Sequence, residues 1–165
     1  MTISVRPFET SDWPALWPIL HATFSKGDTY AFPTDASEEE TRHAWTKAPQ
    51  ATFVSCDDSG NILGSYYIKP NQSGNASHVC NCGYVVSEAS RGKGVASLMC
   101  EHSQSTALGL GFLAMQFNFV VSTNSGAIRL WQNLGYAIVG TLPRAFLHPE
   151  AGFVDAYVMY KWLAI

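Results

Sequence analysis

Arg91-Gly92-Lys93-Gly94-Val95-Ala96 lies between two unlike patterns, and its reading decides the fold. Upstream, His78-Val79-Cys80-Asn81-Cys82-Gly83-Tyr84-Val85-Val86 reads as a strand, rich in β-formers toward its end. Downstream, Val95, Leu98, Met99, His102 and Thr106 recur at i, i+3, i+4, i+7 and i+11, one face of a helix. A strand therefore enters a basic, glycine-bearing turn that opens into a helix. N–H groups at a helix start have no partner inside the helix, and the helix dipole adds partial positive charge there. Gly92 and Gly94 let the backbone come close to a bulky group, and Arg91 and Lys93 add full charges. A turn of this kind holds a phosphate or pyrophosphate. The plain alternative is a solvated turn with a glycine pair and two charges.

Two phosphate-binding signatures fail here. A Walker A loop needs Lys followed by Ser or Thr, but Gly94 follows Lys93 and Ser87 stands where the first glycine belongs. A dinucleotide fingerprint needs a third glycine and a later acid, but Ser97 and Phe112 occupy those places. Arg91-x-x-Gly94-x-Ala96 instead resembles the Arg/Gln-x-x-Gly-x-Gly/Ala loop of the GNAT N-acetyltransferases. In that superfamily the loop binds the pyrophosphate of acetyl-CoA.

Composition narrows the class. The 165 residues are 47% apolar and 14% charged, enough for one domain (1–165) with a sizeable core. A net charge of −3 and a pI near 5.9 argue against a nucleic-acid partner, which usually meets a basic face. No apolar run has membrane-spanning length, and Met1–Arg6 lack the pattern of a signal peptide, so a cytoplasmic protein is expected. Cys80 and Cys82 share one strand face, but no second ligand pair accompanies them. Buried reduced thiols are expected, with no metal.

Taken in order, residues 2–7 read as a strand. Trp13, Leu16, Trp17, Leu20 and Phe24 then repeat at helical spacing after a Thr10-Ser11-Asp12 cap, with Pro18 expected to bend that helix. Lys26–Pro33 is a loop carrying Tyr30 and Phe32; these rings either tuck into the core or wall a small substrate. Ser37-x-x-Glu40 is a capping box opening a short helix to about Lys47. Strands at 51–56 and 61–69 flank the turn Asp57–Gly60 and read as a hairpin. After the central unit, Phe112–Val121 alternates as a strand, with Leu113, Met115, Phe117, Phe119 and Val121 on one side and Gln116 and Asn118 on the other. Asn124 precedes a helix with Ala127, Leu130, Trp131 and Leu134 inward, ended by Gly135. Tyr136–Thr141 and Val154–Tyr160 read as closing strands around a long loop, Pro143–Gly152.

This order is similar to the GNAT fold along the whole chain. The resemblance implies an α/β (α+β) domain with a central mixed, mostly antiparallel sheet of about seven strands and about four flanking helices. Asn124-x-x-Ala127-x-x-Leu130-Trp131-x-x-Leu134-Gly135-Tyr136 resembles the family's Asn-x-x-Ala-x-x-x-Tyr-x-x-x-Gly-Phe segment. Asn81, Asn118 in Phe117-Asn118-Phe119-Val120, and Asn124 resemble the yeast-type N-acetyltransferases of proline analogues such as azetidine-2-carboxylate.

The resemblance implies an acetyl-CoA-dependent N-acetyltransferase in which the amine of a small molecule, an amino acid or analogue, attacks the thioester directly; a protein or peptide N-acetyltransferase and a non-catalytic acyl-CoA-binding module are the alternatives. Acetyl-CoA is the implied cosubstrate, held by Val85, Val86, Arg91, Gly92, Lys93, Gly94, Val95, Ala96, Asn124 and Trp131. A backbone N–H near Val86 is the implied donor to the developing oxyanion. Asn81 and Asn118 are the candidate catalytic side chains; the alternative is a satisfied buried network. Tyr30 and Phe32 are the candidate substrate contacts. Trp131 stands where the family often has a tyrosine acid, and indole cannot supply a proton at neutral pH. His78 is the nearest titratable group, and a structural histidine is its simpler reading. A homodimer is compatible with the sequence.

Overall fold

The computed structural model describes residues 2–165 as one seven-stranded sheet with helices on both faces. The elements are β1 (Ser4–Pro7), α1 (Trp13–Lys26), α2 (Glu38–Arg42), β2 (Ala51–Cys56), β3 (Ile62–Pro70), β4 (Val79–Val86), α3 (Val95–Gly109), β5 (Ala114–Val121), α4 (Ser125–Asn133), β6 (Ala137–His148) and β7 (Gly152–Trp162). The strand order is β1-β2-β3-β4-β5-β7-β6. Every neighbouring pair is antiparallel except β4–β5, which is parallel and registers only at Val79↔Ala114 and Cys80↔Met115. This is the expected mixed, mostly antiparallel sheet.

Local chemistry accounts for most boundaries. Gly27 ends α1 at φ 67 with its N–H on the carbonyl of Phe24, a left-handed cap that glycine adopts without strain. Pro18 lies inside α1 without ending it. Ser37 and Glu40 cap α2 reciprocally, and the helix continues as a π turn over His43–Lys47. Asp57 gathers the N–H groups of Ser59 and Asn61, which closes the β2–β3 hairpin.

Two cores lie on opposite faces. α1 and the π turn cover one with Trp13, Leu16, Leu20, Phe24 and Trp45 over Val54 and Val85. α3 and α4 cover the other with Val95, Met99, Cys100, Ala107 and Trp131 over Cys80, Cys82, Met115 and Phe117. The buried stripe of α3 is Val95, Met99, Cys100, Ser103 and Ala107; the predicted Leu98, His102 and Thr106 flank it, half-buried. All four cysteines are buried and free. No helix among the described residues is long and apolar enough to cross a membrane.

Three expectations need correction. The long loop Pro143–Gly152 is mostly strand: β6 runs to His148 and the connection is 149–151. Pro143 lies on the edge strand, where its missing N–H costs no ladder bond. The register shifts between Leu142 and Phe146, with Arg144 at φ 50 and its N–H on Asp155 Oδ1 at 2.9 Å. That is a bulge, not the end of the strand. A second irregularity between Phe117 and Val120 breaks the alternation of β5, so Val120 is buried and Phe119 only half-buried. Leu113 precedes β5 and is exposed.

Candidate functional site

The short β4–β5 register leaves a fork. Beyond Cys80 the two strands part, and a cavity of about 660 Å³ opens there. In antiparallel pairing the N–H and C=O of one residue point to the same edge, and alternate residues point to opposite edges. Ser87 N–H bonds Leu63 on the β3 side, and His78 C=O accepts from Leu113 on the β5 side. The backbone groups of Cys82, Tyr84 and Val86 therefore turn toward the gap. One of them is engaged: Tyr30 Oη donates to the Tyr84 carbonyl at 2.7 Å. Asn81 Nδ2 donates across the fork to the Gln116 carbonyl at 3.0 Å, and Asn81 Oδ1 receives a long bond from Tyr67 Oη at 3.4 Å. Asn81 thus clasps the strands where they separate, and it also lines the cavity.

On the α3 and α4 face the wall is Arg91, Gly92, Ala96, Asn124, Ala127, Leu130 and Trp131. A short 3₁₀ turn, Glu88–Ser90, intervenes between β4 and the glycine turn. Gly92 and Gly94 have φ 74 and 79, with open space where a Cβ would be. Leu98 N–H bonds the Gly94 carbonyl at 3.0 Å as the first internal bond of α3, so the N–H groups of residues 95–97 project from the helix start. Arg91 and Lys93 are exposed and make no ion pair among the described residues. Lys93 and Gly94 stand at the rim rather than in the wall, and the Val95 side chain is buried in the core. Asn124 Oδ1 caps α4 through the Ala127 N–H at 3.4 Å. Trp131 packs between Tyr84 and Phe117, ring centroids 5.1 Å from each.

On the other face the wall is Thr23, Asp28, Tyr30, Phe32, Tyr67, Lys69 and Asn81. Tyr30 and Phe32 tuck into the core and also face the cavity. Phe32 stacks on Phe24 at 4.4 Å and Tyr30 packs edge-on to Phe24 and Trp45, yet both line the cavity. Tyr67 lies opposite Gly83 in the β3–β4 register, and its ring occupies the space a side chain there would take. Lys69 lies opposite Asn81, its Nζ 5.3 Å from the centre of the Tyr67 ring. Asn118 is exposed and accepts from Gln116 Nε2 at 2.9 Å while donating to Asn71 Oδ1 at 2.6 Å. It lines the cavity but is not beside Asn81 in the hydrogen-bond network.

Burial pushes the Tyr67 hydroxyl up to about 12 and the Tyr30 and Tyr84 hydroxyls higher. Burial likewise raises the Cys82 thiol, which therefore stays protonated in the cavity wall. Asp28 is the carboxylate of the wall, and it meets Lys26 at 3.6 Å. No histidine lines the cavity; His78 packs toward Trp162 instead. That Tyr67, Lys69, Gly83 and Asp28 line the cavity was not legible from spacing alone. The signal for three of them was the β3–β4 pairing, which puts Tyr67 and Lys69 over Gly83 and Asn81.

Comparison with known proteins bears on the family and the fold. A family model described as the acetyltransferase (GNAT) family matches residues 13–136. The chain is 38% identical over 112 residues to N-acetyltransferase aca1 of Schizosaccharomyces pombe, an alignment that takes in 67% of this chain and 54% of that protein. It thus spans about half the length of that curated relative. It superposes on a GCN5-related N-acetyltransferase from Kribbella flavida with a TM-score of 0.92 and 40% identity over 97% of both chains. A phosphinothricin acetyltransferase from Sinorhizobium meliloti, solved in complex with acetyl-CoA, shares the fold at a TM-score of 0.87, with 20% identity, 99% of this chain and 90% of that one.

Proposed function

The chain belongs to the GNAT acetyltransferase family, and on that premise we propose that it transfers acetyl from acetyl-CoA to the amine of a small molecule, an amino acid or close analogue. The observation that carries this reading is the fork. One cavity joins the glycine turn at the start of α3 to the polar floor of Tyr67, Lys69 and Asn81. Acetyl-CoA fits the first part: projecting N–H groups, left-handed glycines with open space above them, and unpaired Arg91 and Lys93 suit a pyrophosphate. The unpaired β4 edge suits the amides of a pantetheine arm, as a sheet edge accepts an extended strand. The group would supply an acetyl thioester.

The residues of the chain then have distinct tasks. The Val86 N–H, turned into the gap, donates to the oxygen on which charge develops; such a donor is worth roughly 10²–10³ in rate. Asn81 has its amide nitrogen committed to the Gln116 carbonyl, and its Oδ1, held only by the long bond from Tyr67, can accept from an N–H of the amine and orient it with its lone pair free. The amine must be neutral to attack. Asp28, directly or through water, accepts its proton. Trp131 shapes the thiol end and donates no proton. Tyr67, whose hydroxyl makes only a long bond to Asn81, stays protonated across the neutral range and can serve as donor to the leaving thiolate. The resemblance of Asn81, Asn118 and Asn124 to the yeast-type proline-analogue enzymes favours a cyclic or short-chain amino acid.

Release of coenzyme A with a panel of free amino acids, short peptides and protein substrates tests the proposal. Free amino acids should lead. Preference for peptides would make the enzyme a protein acetyltransferase. Acetyl-CoA binding without release from any amine would leave a non-catalytic binding module.

A further inference from the structure

The fork explains the cofactor and the reacting amine but not Lys69. This lysine lines the acceptor end of the cavity. The ion pairs among the described residues are Arg6–Asp12 and Lys26–Asp28, so its ammonium has no carboxylate partner. Its side chain makes no hydrogen bond among the described residues and rests over the Tyr67 ring, 5.3 Å from the centroid. The carboxylate of the same wall, Asp28, is already neighbour to Lys26. Lys69 and Arg91 are the wall's cations, and they belong to opposite ends of the cavity. An unneutralised ammonium on a half-buried wall favours an anion from the ligand.

We infer that Lys69 seats the carboxylate of the acceptor, so that the substrate class is the α-amino acid with its carboxylate free rather than amines in general. This rests on the small-amine reading above and sharpens it. Three observations carry it. Lys69 is fixed opposite Asn81 by the β3–β4 register, so the two side chains rise as neighbours from one face of the sheet and a single small ligand can meet both. The Tyr67 ring under the lysine holds the ammonium over the cavity by cation–π attraction, and Gly83 is the vacancy that lets this ring lie flat on the sheet. Phe32 and Tyr30 leave an aromatic wall for the carbon skeleton.

The charge has a second effect. A cation near the amine disfavours its protonated form and so favours the neutral nucleophile. A peptide presents its carboxylate far from the reacting amine, and a decarboxylated amine presents none. Both lose the contact with Lys69 and the help it gives to deprotonation.

The test compares one free amino acid that the wild-type protein acetylates with its carboxamide and its methyl ester. A charge-assisted contact of this kind corresponds to about 10- to 100-fold in kcat/KM, and the loss should fall mainly on KM. Lys69→Met keeps the stem over Tyr67 but removes the charge. It should bring the acid down to the level of the amide, with acetyl-CoA affinity by calorimetry and thermal stability unchanged. Lys69→Arg should restore most of the preference. If the wild type treats acid, amide and ester alike, or if Lys69→Met still prefers the acid, the seat is refuted while amino-acid turnover stands. If no small amine is acetylated although acetyl-CoA binds, the small-amine reading falls, and the seat falls with it.

Discussion

Gly83→Ala is the smallest change that separates the two halves of the cavity. A Cβ at Gly83 would lie 2.6 Å from Tyr67 Cε1 and 2.9 Å from both Cζ and the hydroxyl oxygen. Ordinary contact requires roughly 3.5–4 Å, so the ring must move by about 1 Å. It cannot sink into the sheet face. Trp45 meets it edge-on at 4.9 Å, is fully buried, and is itself held by Ser65 Oγ at 3.0 Å. The ring must therefore tilt into the cavity, carrying its hydroxyl away from Asn81 and dislodging Lys69 from its face. Overpacking of this kind costs about 1–3 kcal/mol of stability. Misplacement by about 1 Å at a reacting site can cost on the order of 10² in rate. The α3 turn does not touch Tyr67, so acetyl-CoA affinity should stay within about threefold of wild type, a difference under about 1 kcal/mol. Denaturant melts, acceptor kinetics and calorimetry with acetyl-CoA read the three quantities separately. Full acceptor turnover in a folded Gly83→Ala protein would refute the placement of the acceptor on the Tyr67 platform.

Other consequences follow from the same geometry. Gly94→Val meets no protein atom but forces a branched residue to φ 79 and crowds the helix start; acetyl-CoA affinity should fall at least tenfold, and unchanged calorimetry would remove the pyrophosphate from this turn. Asn81→Ala leaves the Gln116 carbonyl at the fork without its 3.0 Å donor, so stability should fall by about 1–3 kcal/mol. Turnover should also fall, on the order of 10²-fold, with acetyl-CoA affinity near normal; a loss of stability alone would make Asn81 a clasp and nothing more. The Arg6 guanidinium, bonded to both Asp12 oxygens at 2.7 and 2.8 Å, holds that carboxyl below the usual range. A lowered folded value stabilises the protein above the unfolded pKa of about 4, and the contribution is lost as pH falls through the lowered value. Asp12→Asn should accordingly cost about 1 kcal/mol at neutral pH, a difference that shrinks toward pH 2–3 in pH-dependent melts; a constant difference across that range would contradict the pairing.

Local signals in the sequence carried the helices, the hairpin and the glycine turn. The capping box of Ser37 and Glu40, the turn chemistry of Asp57–Gly60 and the left-handed Gly27 each act within a few residues. Where a bulge intervenes, local reading fails: Pro143 reads as loop because a proline seldom enters a strand, yet on an edge strand beside Arg144 at φ 50 it does. The same holds for β5, whose alternation slips near Asn118. The end of the cavity proposed for the cofactor could be read because a strand, a turn and a helix are contiguous in sequence. The acceptor end was not, because Tyr67, Lys69 and Asp28 acquire meaning only when β3 registers against β4 and the α1 loop folds over both. Trp131 was visible in the sequence, but its packing between Tyr84 and Phe117 depends on strands far from it.

The central claim is that one cavity runs through the β4–β5 fork from the Arg91–Ala96 turn to the Tyr67–Lys69–Asn81 floor. A crystal structure with coenzyme A and an N-acetylated amino acid bound together tests it most directly. The account predicts the pyrophosphate at the N–H groups of residues 95–97, the pantetheine along the free edge of β4, and the product carboxylate beside Lys69. A pantetheine lying outside the fork, or a product bound away from Tyr67, would contradict it.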